Sequence, residues 1–244
     1  MVMSFVHIKK TPNTGDLACT PFHYFDFPEA QSYDIHSEIP KSDIVVFGGG
    51  AIEPYFKDPH FALDKVEAKH KVAWGIGSSR SGRKKNDPFA VEGFDLVGIR
   101  EYEREGGIYV PCVSCMSEYF DLDYEVLHDA VFYKHAAKPV PEEYVAGLPT
   151  MDNRASLEDA IAFMGSAETV ITNSFHGTYW ATLLNRKVIC LPFSSKFYAY
   201  KFAPTYSKAE TWRADRRKAT THPEALEDCR DINKMFYGMV MNLK

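Results

Sequence analysis

Residues 156–191, SLEDAIAFMGSAETVITNSFHGTYWATLLNRKVICL, indicate the fold class of this 244-residue chain. Ser156 is placed to cap a helix, and Asp159 occupies the capping-box position three residues later. Apolar residues then recur at helical spacing, and the apolar run Thr169–Thr172 predicts a strand. A second helical stretch leads to a second strand at Lys187–Leu191. This alternation of helices and strands is typical of an open parallel sheet.

The first half of the chain repeats the plan with short apolar runs, each followed by a glycine or a polar turn. These runs are Met3–Ile8, Asp43–Phe47, Lys71–Trp74 and Asp95–Ile99. Nearly continuous apolar runs of this length suit parallel strands that are buried on both faces. A further run, Ala130–Tyr133, would begin a second sheet after an acidic segment.

The end of the chain, Pro223–Leu243, predicts a long amphipathic helix. Thr221 and Glu224 fit a capping box, and Pro223 fits the first helical turn. We therefore predict an α/β fold with two Rossmann-like domains, residues 1–125 and 126–222. The helix at residues 223–244 is expected to pack back across the cleft or onto the N-terminal half.

Composition and charge argue against several classes of function. The net charge of −5 at pH 7 disfavours general nucleic-acid binding, which needs a basic surface. No run of about eighteen apolar residues predicts a membrane span, and no N-terminal pattern predicts a signal peptide. The five scattered cysteines are typical of a reducing compartment, so we expect a cytoplasmic protein.

The segment Thr172–Thr178 joins a predicted strand to a predicted helix that Asn173 or Ser174 would cap. Ligands of open α/β sheets bind outside the carboxyl ends of the strands, and a helix N-terminus favours an anion. His176 could add a hydrogen-bond donor to a phosphate or carboxylate, and Gly177 would permit close approach. The alternative is a capped helix with a packed histidine.

Arg100 ends the predicted strand Asp95–Ile99. A guanidinium at the carboxyl end of a strand is well placed to bind a carboxylate or phosphate through two hydrogen bonds. The alternative is a surface salt bridge between Arg100 and either Glu101 or Glu103.

Two turns in the first half could also contribute to a site. In the turn Asn13-Thr14-Gly15-Asp16, Asp16 could orient or deprotonate a sugar hydroxyl, whereas the alternative is an Asx turn that starts a helix. The run Gly48, Gly49 and Gly50 is similar to a phosphate-binding loop but lacks the spacing of the nucleotide fingerprints.

Basic clusters and a cysteine pair complete the candidates. The cations are Arg80, Arg83, Lys84 and Lys85 in one loop and Arg213, Arg216, Arg217 and Lys218 in another. Such runs are either solvated surface or contacts with phosphates of a substrate or an anionic lipid surface. Cys112 and Cys115 have CxxC spacing, but no second ligand pair is present, so we expect no metal.

In this order, the motifs resemble the polysaccharide pyruvyl transferase family over roughly residues 3 to 202. The matching segments are Asn13–Asp16, Val46–Gly50, Trp74–Gly77, Gly98–Glu101, Tyr109–Cys112, Ile171–Gly177, Lys187–Pro192 and Lys196. The Ser-x-His-Gly element and the ordered series carry the resemblance, because the glycine loops alone are common.

The resemblance implies two Rossmann-like domains that face a cleft, as in GT-B glycosyltransferases, with the acceptor on the first and the donor on the second. It implies that phosphoenolpyruvate is the donor, held by residues matching Arg100 and His176, and that no cofactor or metal is needed. The acceptor would be a sugar with two nearby hydroxyls in a polysaccharide precursor. The product would be a cyclic pyruvate ketal plus phosphate.

Several features limit what the resemblance predicts. The chain is shorter than the usual member, and the segment Ser78–Lys85 lacks an expected proline, so the acceptor is undefined. A lipid-linked acceptor and peripheral contact with the inner face of a membrane are open alternatives. His176 and Asp16 are both candidates for the proton donor. Rival functions are a GT-B glycosyltransferase using a nucleotide sugar, for which Glu210 would bind ribose, and a non-catalytic sugar-binding relative.

Overall fold

The computed structural model describes residues 1–58, 61 and 63–243. Two separate parallel sheets organise these residues. The first contains β1 (Met3–His7), β2 (Gln31–Asp34), β3 (Ser42–Gly48), β4 (Ala68–Ile76), β5 (Leu96–Ile99) and β6 (Ile108–Tyr109), in the order β2-β1-β3-β4-β5-β6. The second contains β7 (His128–Lys134), β8 (Thr150–Asp152), β9 (Ala167–Thr172), β10 (Lys187–Cys190) and β11 (Thr205–Tyr206), in the order β11-β10-β9-β7-β8.

Helices cover the sheets and connect their strands. The α-helices are α1 (Thr14–Leu17), α2 (Glu142–Val145), α3 (Leu157–Gly165), α4 (Phe175–Leu183), α5 (Trp212–Asp215) and α6 (Ala225–Met241). Short 3₁₀ helices lie at Pro21–His23, Glu53–Lys57, Leu63–Lys65, Val113–Met116, Glu118–Asp121, Ser195–Tyr198 and Arg216–Lys218. The predicted α/β class and the predicted strands are therefore confirmed, with shifts of a few residues at their ends.

Helix capping in the second half follows the sequence pattern closely. The Ser156 hydroxyl accepts a hydrogen bond from the Asp159 backbone N–H at 3.0 Å, as the capping box predicts. Ser174, not Asn173, caps α4 by accepting from the Gly177 N–H at 3.3 Å. All nine residues of α4 are buried, because this helix packs between the second sheet, α3 and α6.

The capping box predicted at Thr221 and Glu224 is wrong. Helix α6 begins at Ala225, and its N-cap residue Glu224 makes no side-chain capping bond. Instead the Ala225 N–H donates to the His222 carbonyl at 3.0 Å, so Pro223 lies in a turn before the helix. A backbone turn, and not a threonine side chain, therefore leads into the helix.

Helix α6 packs against both halves. Phe236 lies in the core of the first sheet, with its ring centroid 5.0 Å from that of Trp74. Cys229 lies in the core of the second sheet. Between them, the buried Asn233 accepts from the Trp74 indole N–H at 2.9 Å and donates to the Pro111 carbonyl at 3.3 Å. The helix therefore joins the cores of the two sheets. No helix of the described residues has the length and apolarity that crossing a membrane requires.

Candidate active site

The candidate residues converge because the strand ends of the two sheets face each other. The first sheet contributes Asn13–Asp16 after β1, Gly48–Gly50 at the end of β3, and Arg100 after β5. The second contributes residues 173–176 after β9 and Lys196 after β10. Carboxyl ends of parallel strands are the usual ligand-binding edge of α/β sheets.

Arg100 is the central cation of this cluster. Its side chain is 3% exposed, and its guanidinium lies over the Phe175 ring with 4.1 Å from Cζ to the ring centroid. The Nε atom is buried and has no hydrogen-bond partner among the described residues. The nearest carboxylate oxygen belongs to Glu101, 3.9 Å from Nε. The contact with Phe175 joins the two halves and leaves the guanidinium without a closely paired carboxylate.

Lys196 and Asp16 share the electrostatic environment of Arg100. Burial, followed by the positive charge of Arg100, lowers the pKa of Lys196 to about 8. Burial also raises the pKa of the Asp16 carboxyl, although Arg100 and Lys196 oppose that shift. The two cations and the Asp16 carboxyl group therefore lie close enough to influence one another's pKa.

His176 lies in the first turn of α4 and contacts the first half. Its Nε2 is 3.5 Å from the Cys112 sulfur, and a Cβ on Gly15 would overlap its ring. Its ring centroid lies 5.2 Å from that of Trp180. Burial, then Arg100 and Lys196, lowers the pKa of His176 well below its ordinary value, so the ring is neutral at pH 7. Gly15 therefore provides the space that the imidazole occupies.

Asn13 holds Asp16 and also connects the halves. Its side chain caps α1 by accepting from the Gly15 N–H at 3.2 Å, and its Nδ2 donates to Asp16 Oδ2 at 2.7 Å. Asn153 of the second half donates to Asn13 Oδ1 at 2.9 Å. The Asx turn weighed from the sequence is thus present, and it orients the Asp16 carboxyl.

The three glycines after β3 form a tight turn behind Asp16. Gly49 and Gly50 have φ values of 52° and 78°, in the left-handed region that side chains other than glycine disfavour. A Cβ on Gly49 would overlap the Cys19 carbonyl, whereas one on Gly50 would lie 3.8 Å from Asp16 Oδ1. Gly48 packs against Pro21. Only Gly50 therefore approaches the charged cluster.

Three residues around α4 that were predicted to bind the substrate stabilise the local fold through hydrogen bonds or close packing. Asn173 accepts from the His135 N–H at 2.7 Å and donates to the Lys138 carbonyl at 2.6 Å, which fixes the loop after β7. The Ser174 hydroxyl caps the helix. A Cβ on Gly177 would lie 2.5 Å from Thr172 Oγ1, so this glycine allows the helix to approach the strand.

A comparison with known families matches residues 5–195 to the profile described as polysaccharide pyruvyl transferase. The chain belongs to the polysaccharide pyruvyl transferase family. The match includes Asp16, Arg100 and His176, and Lys196 follows its last residue directly. No curated protein matches the chain.

In this pyruvyl transferase family member, the structure adds residues that the sequence did not single out. Asn86 is buried, and its Nδ2 lies 3.3 Å from Glu101 Oε1, beside Arg100. Its Oδ1 accepts from the Ser195 hydroxyl at 2.5 Å, beside Lys196. No local motif marks Asn86, since its partners are distant in the chain.

Several side chains of the two basic clusters form ion pairs or hydrogen bonds within the protein. Arg80 and Arg83 both pair with Asp87, the former through a close contact and the latter at 3.9 Å. In the second cluster, Lys218 pairs with Asp215 at 2.6 Å, and Arg216 donates to the Asp129 carbonyl at 2.6 Å. Cys112 and Cys115 are free and buried, and no group of three or more His, Cys, Asp or Glu side chains in the described ranges could hold a metal ion.

Proposed function

We propose that this protein transfers the pyruvyl group of phosphoenolpyruvate onto two hydroxyls of a sugar in a glycan precursor, forming a cyclic ketal and releasing phosphate. The observation that carries the proposal is the buried Arg100 guanidinium, which has no close carboxylate partner and lies beside Lys196 and His176. Phosphoenolpyruvate has a carboxylate and a phosphate. A buried arginine and a half-buried lysine at one edge offer complementary charge for such a donor.

Arg100 suits the bidentate recognition of a planar carboxylate or a phosphate, whereas Lys196 provides a point charge. A donor anion beside Lys196 would favour the charged ammonium and raise its lowered pKa. The neutral His176 ring can donate one hydrogen bond and accept another. We assign donor binding to Arg100, Lys196 and His176, with Asn13, Gly15, Gly48, Gly49, Gly50, Asn173, Ser174 and Gly177 shaping the site. No cofactor or metal is needed in this scheme.

The chemistry requires two hydroxyl additions at C2 of the donor. The first sugar oxygen bonds to C2 and gives up its proton to a base, while C3 gains a proton from an acid and becomes a methyl group. The C2–O bond to phosphate then breaks, and phosphate leaves with the electron pair. The second sugar oxygen bonds to C2, and its proton passes to the solvent or to phosphate. Arg100 and Lys196 would stabilise the departing phosphate.

Asp16 and His176 are the candidates for moving these protons. Burial raises the pKa of Asp16, which brings its protonated form closer to neutral pH. The Asn13 amide fixes one of its oxygens, so the other oxygen is available to a hydroxyl. Five free buried cysteines fit the reducing compartment in which we place the reaction, the cytoplasm.

A thermal-shift comparison tests the donor. Phosphoenolpyruvate at about a hundred times its dissociation constant should stabilise the protein by about 2.7 kcal/mol. Nucleotide sugars, pyruvate and inorganic phosphate at the same concentration are the controls. We expect phosphoenolpyruvate to give the largest shift, and the shift to shrink in Arg100→Ala and His176→Ala. A shift with a nucleotide sugar but none with phosphoenolpyruvate would favour a GT-B glycosyltransferase instead.

A further inference from the structure

A groove of about 1090 Å³ lies beside the proposed donor site, at the carboxyl ends of β10 and β11. Its walls include three aromatic rings, Phe193, Tyr198 and Tyr206, of which the last two have centroids 5.0 Å apart. Aromatic faces of this kind suit the apolar C–H surfaces of a sugar ring. None of the residues assigned to the donor lines the groove except Asn173.

The groove adjoins the reacting centre through Phe193. The Lys196 ammonium lies 5.3 Å from the Phe193 ring centroid, and the Lys138 ammonium lies 5.6 Å from it. Burial, followed by the charges of Lys196 and Lys138, lowers the pKa of His135. A ligand in the groove would therefore lie next to the donor held by Lys196.

Two lysines in the groove are free to bind an anion. Lys138 lies over Phe193, and Lys84 lies over Tyr198 at 5.7 Å from its centroid. Within the described part of the chain, neither ammonium forms a salt bridge, whereas the groove's Asp215 is paired with Lys218 at 2.6 Å. Glu210 and Lys208, also in the groove, are exposed.

Both lysines are carried by loops that the structure holds in place. Asn173 bonds to both His135 and Lys138 of one loop. The other loop, with Lys84, is fixed by a bridge between Ser81 and Ser194 and by the bond from Ser195 to Asn86. The cations are thus presented from anchored backbone, one from each half.

We propose that this groove binds the sugar acceptor and that Lys84 and Lys138 hold an anionic group of that sugar, either a phosphate or a carboxylate. The inference rests on the proposed function, since it supplies the acceptor of the same reaction. It places much of the acceptor site on the second half, whereas the sequence led us to expect it on the first. It also distinguishes Lys84 from its neighbour Arg83, which pairs with Asp87 and does not line the groove.

Calorimetric binding of small sugars tests the proposal. Saturating phospholactate, which has the donor's carboxylate and phosphate but no enol, first occupies the donor site and prevents turnover. Hexose 1-phosphates, hexuronates and neutral methyl hexosides of the gluco, galacto and manno series are then titrated. We expect at least one charged sugar to bind about fivefold or more tightly than its neutral counterpart. The charged sugar that shows the larger increase in affinity over its neutral counterpart identifies the anionic group, phosphate or carboxylate, that the groove binds.

Lys84→Ala and Lys138→Ala should each weaken the charged sugar about fivefold, and the double variant should remove the preference over the neutral sugar. Arg83→Ala, on the same loop, is the matched control and should change nothing. Equal binding of charged and neutral sugars, no sugar binding to a protein that binds phospholactate, or unchanged affinity in both lysine variants would overturn the inference. Failure of phospholactate and phosphoenolpyruvate to bind would instead count against the proposed donor.

Discussion

Two buried arginines, four positions apart in one segment, have opposite surroundings. Arg104 Nη2 lies 2.6 Å from Glu53 Oε2, its Nη1 lies 3.1 Å from Glu101 Oε2, and its Nε donates to the Asp87 carbonyl at 2.8 Å. Arg100 is equally buried, but its closest carboxylate oxygen is 3.9 Å away and its Nε has no partner. Burial alone therefore does not distinguish an arginine that is paired with carboxylates at hydrogen-bonding distance from one that is not.

The difference lies in how closely each guanidinium is paired with buried carboxylates. Arg104 donates hydrogen bonds through Nη1 and Nε and contacts Glu53 through Nη2, so its removal would weaken the charge compensation of two buried carboxylates. Arg100 retains donors that the fold does not use, which is the state expected of a group that awaits an anion. Changing each arginine separately tests this comparison.

The largest expected effect is on stability, in Arg104→Ala. This change leaves the buried Glu53 with only the more exposed Lys57, 3.1 Å away, and the buried Glu101 with only Arg100, 3.9 Å away. It should lower the free energy of unfolding by about 3–5 kcal/mol. Urea denaturation followed by circular dichroism measures it. A loss of less than about 1 kcal/mol, the range of an exposed pair, would show that Arg104 is not the structural cation that the geometry indicates.

The second effect is on donor binding, in Arg100→Ala. Loss of charge-assisted hydrogen bonds worth about 1.5–3 kcal/mol should weaken phosphoenolpyruvate binding roughly tenfold to a hundredfold. The free energy of unfolding should fall by less than in Arg104→Ala, because the change removes the Phe175 contact and the attraction for Glu101 but breaks no hydrogen bond at Nε.

Arg100→Lys is the control for charge, since an ammonium cannot reproduce two parallel hydrogen bonds. It should restore only part of the affinity. Full restoration would mean that charge alone matters, and a large loss of stability in either variant would remove the contrast with Arg104.

The third effect is a pH dependence that separates Lys196 from Arg100. Because the pKa of Lys196 is lowered to about 8, its charge is lost as the pH rises through that value, while Arg100 stays charged. Donor affinity should therefore fall by up to about tenfold between roughly pH 7 and pH 9, where phosphoenolpyruvate is fully ionised. Calorimetric titration across this range measures it, and Lys196→Met should bind weakly with a flat profile.

The lowered pKa of Lys196 also affects the stability of the free protein, and this effect has the opposite pH dependence. Between about pH 8 and the ordinary Lys value of 10.5, the unfolded chain binds the proton that folded Lys196 has lost. The contribution of Lys196 to stability thus rises with pH in this window.

A wild-type donor affinity that does not change between pH 7 and pH 9 would contradict both the lowered pKa and a role for Lys196.

The smallest expected effect concerns Asn86, which links the carboxylate beside Arg100 to the hydroxyl beside Lys196. Removing a buried hydrogen bond of about 1 kcal/mol by Asn86→Ala should weaken phosphoenolpyruvate binding about threefold to fivefold. The same calorimetric titration measures it, with Asn242→Ala at the end of α6 as the control. Unchanged affinity in a folded Asn86→Ala protein would mean that the link does not position the cations.

Local signals in the sequence predicted the strands and the Ser156 cap, because those features depend on neighbouring residues. The partners of charged groups depend on distant ones. The sequence offered Glu101 or Glu103 as a salt-bridge partner for Arg100. Glu101 does lie 3.9 Å from Arg100 Nε, but its hydrogen bonds join it to Arg104 and to the Ser78 N–H. Glu53 contacts Arg104 and not Arg100, and this choice leaves Arg100 with free donors. Glu53 is distant from both arginines in the chain, so no local sequence pattern contains that information.

Distance along the chain also limited the site prediction. Asn86 and Ser195 are separated by 109 positions, and Asn13 and Asn153 by 140, so their contacts depend on how the two sheets meet. The complete burial of α4 had the same cause, since the sequence predicted a helix there but not the elements that would cover it. The strand-to-helix junction at residues 172–178 was recognisable, whereas the contacts of its individual residues required the structure.

Helix α6 has a practical consequence for anyone who expresses part of this chain. The family match ends at residue 195, but α6 lies beyond it and covers Trp74, one of the largest fully buried side chains. A fragment cut at the end of the matched region would expose the indole and the apolar face around it to water. Such a fragment should aggregate or misfold on synthesis, so the boundary of sequence similarity is not the boundary of an autonomous folding unit.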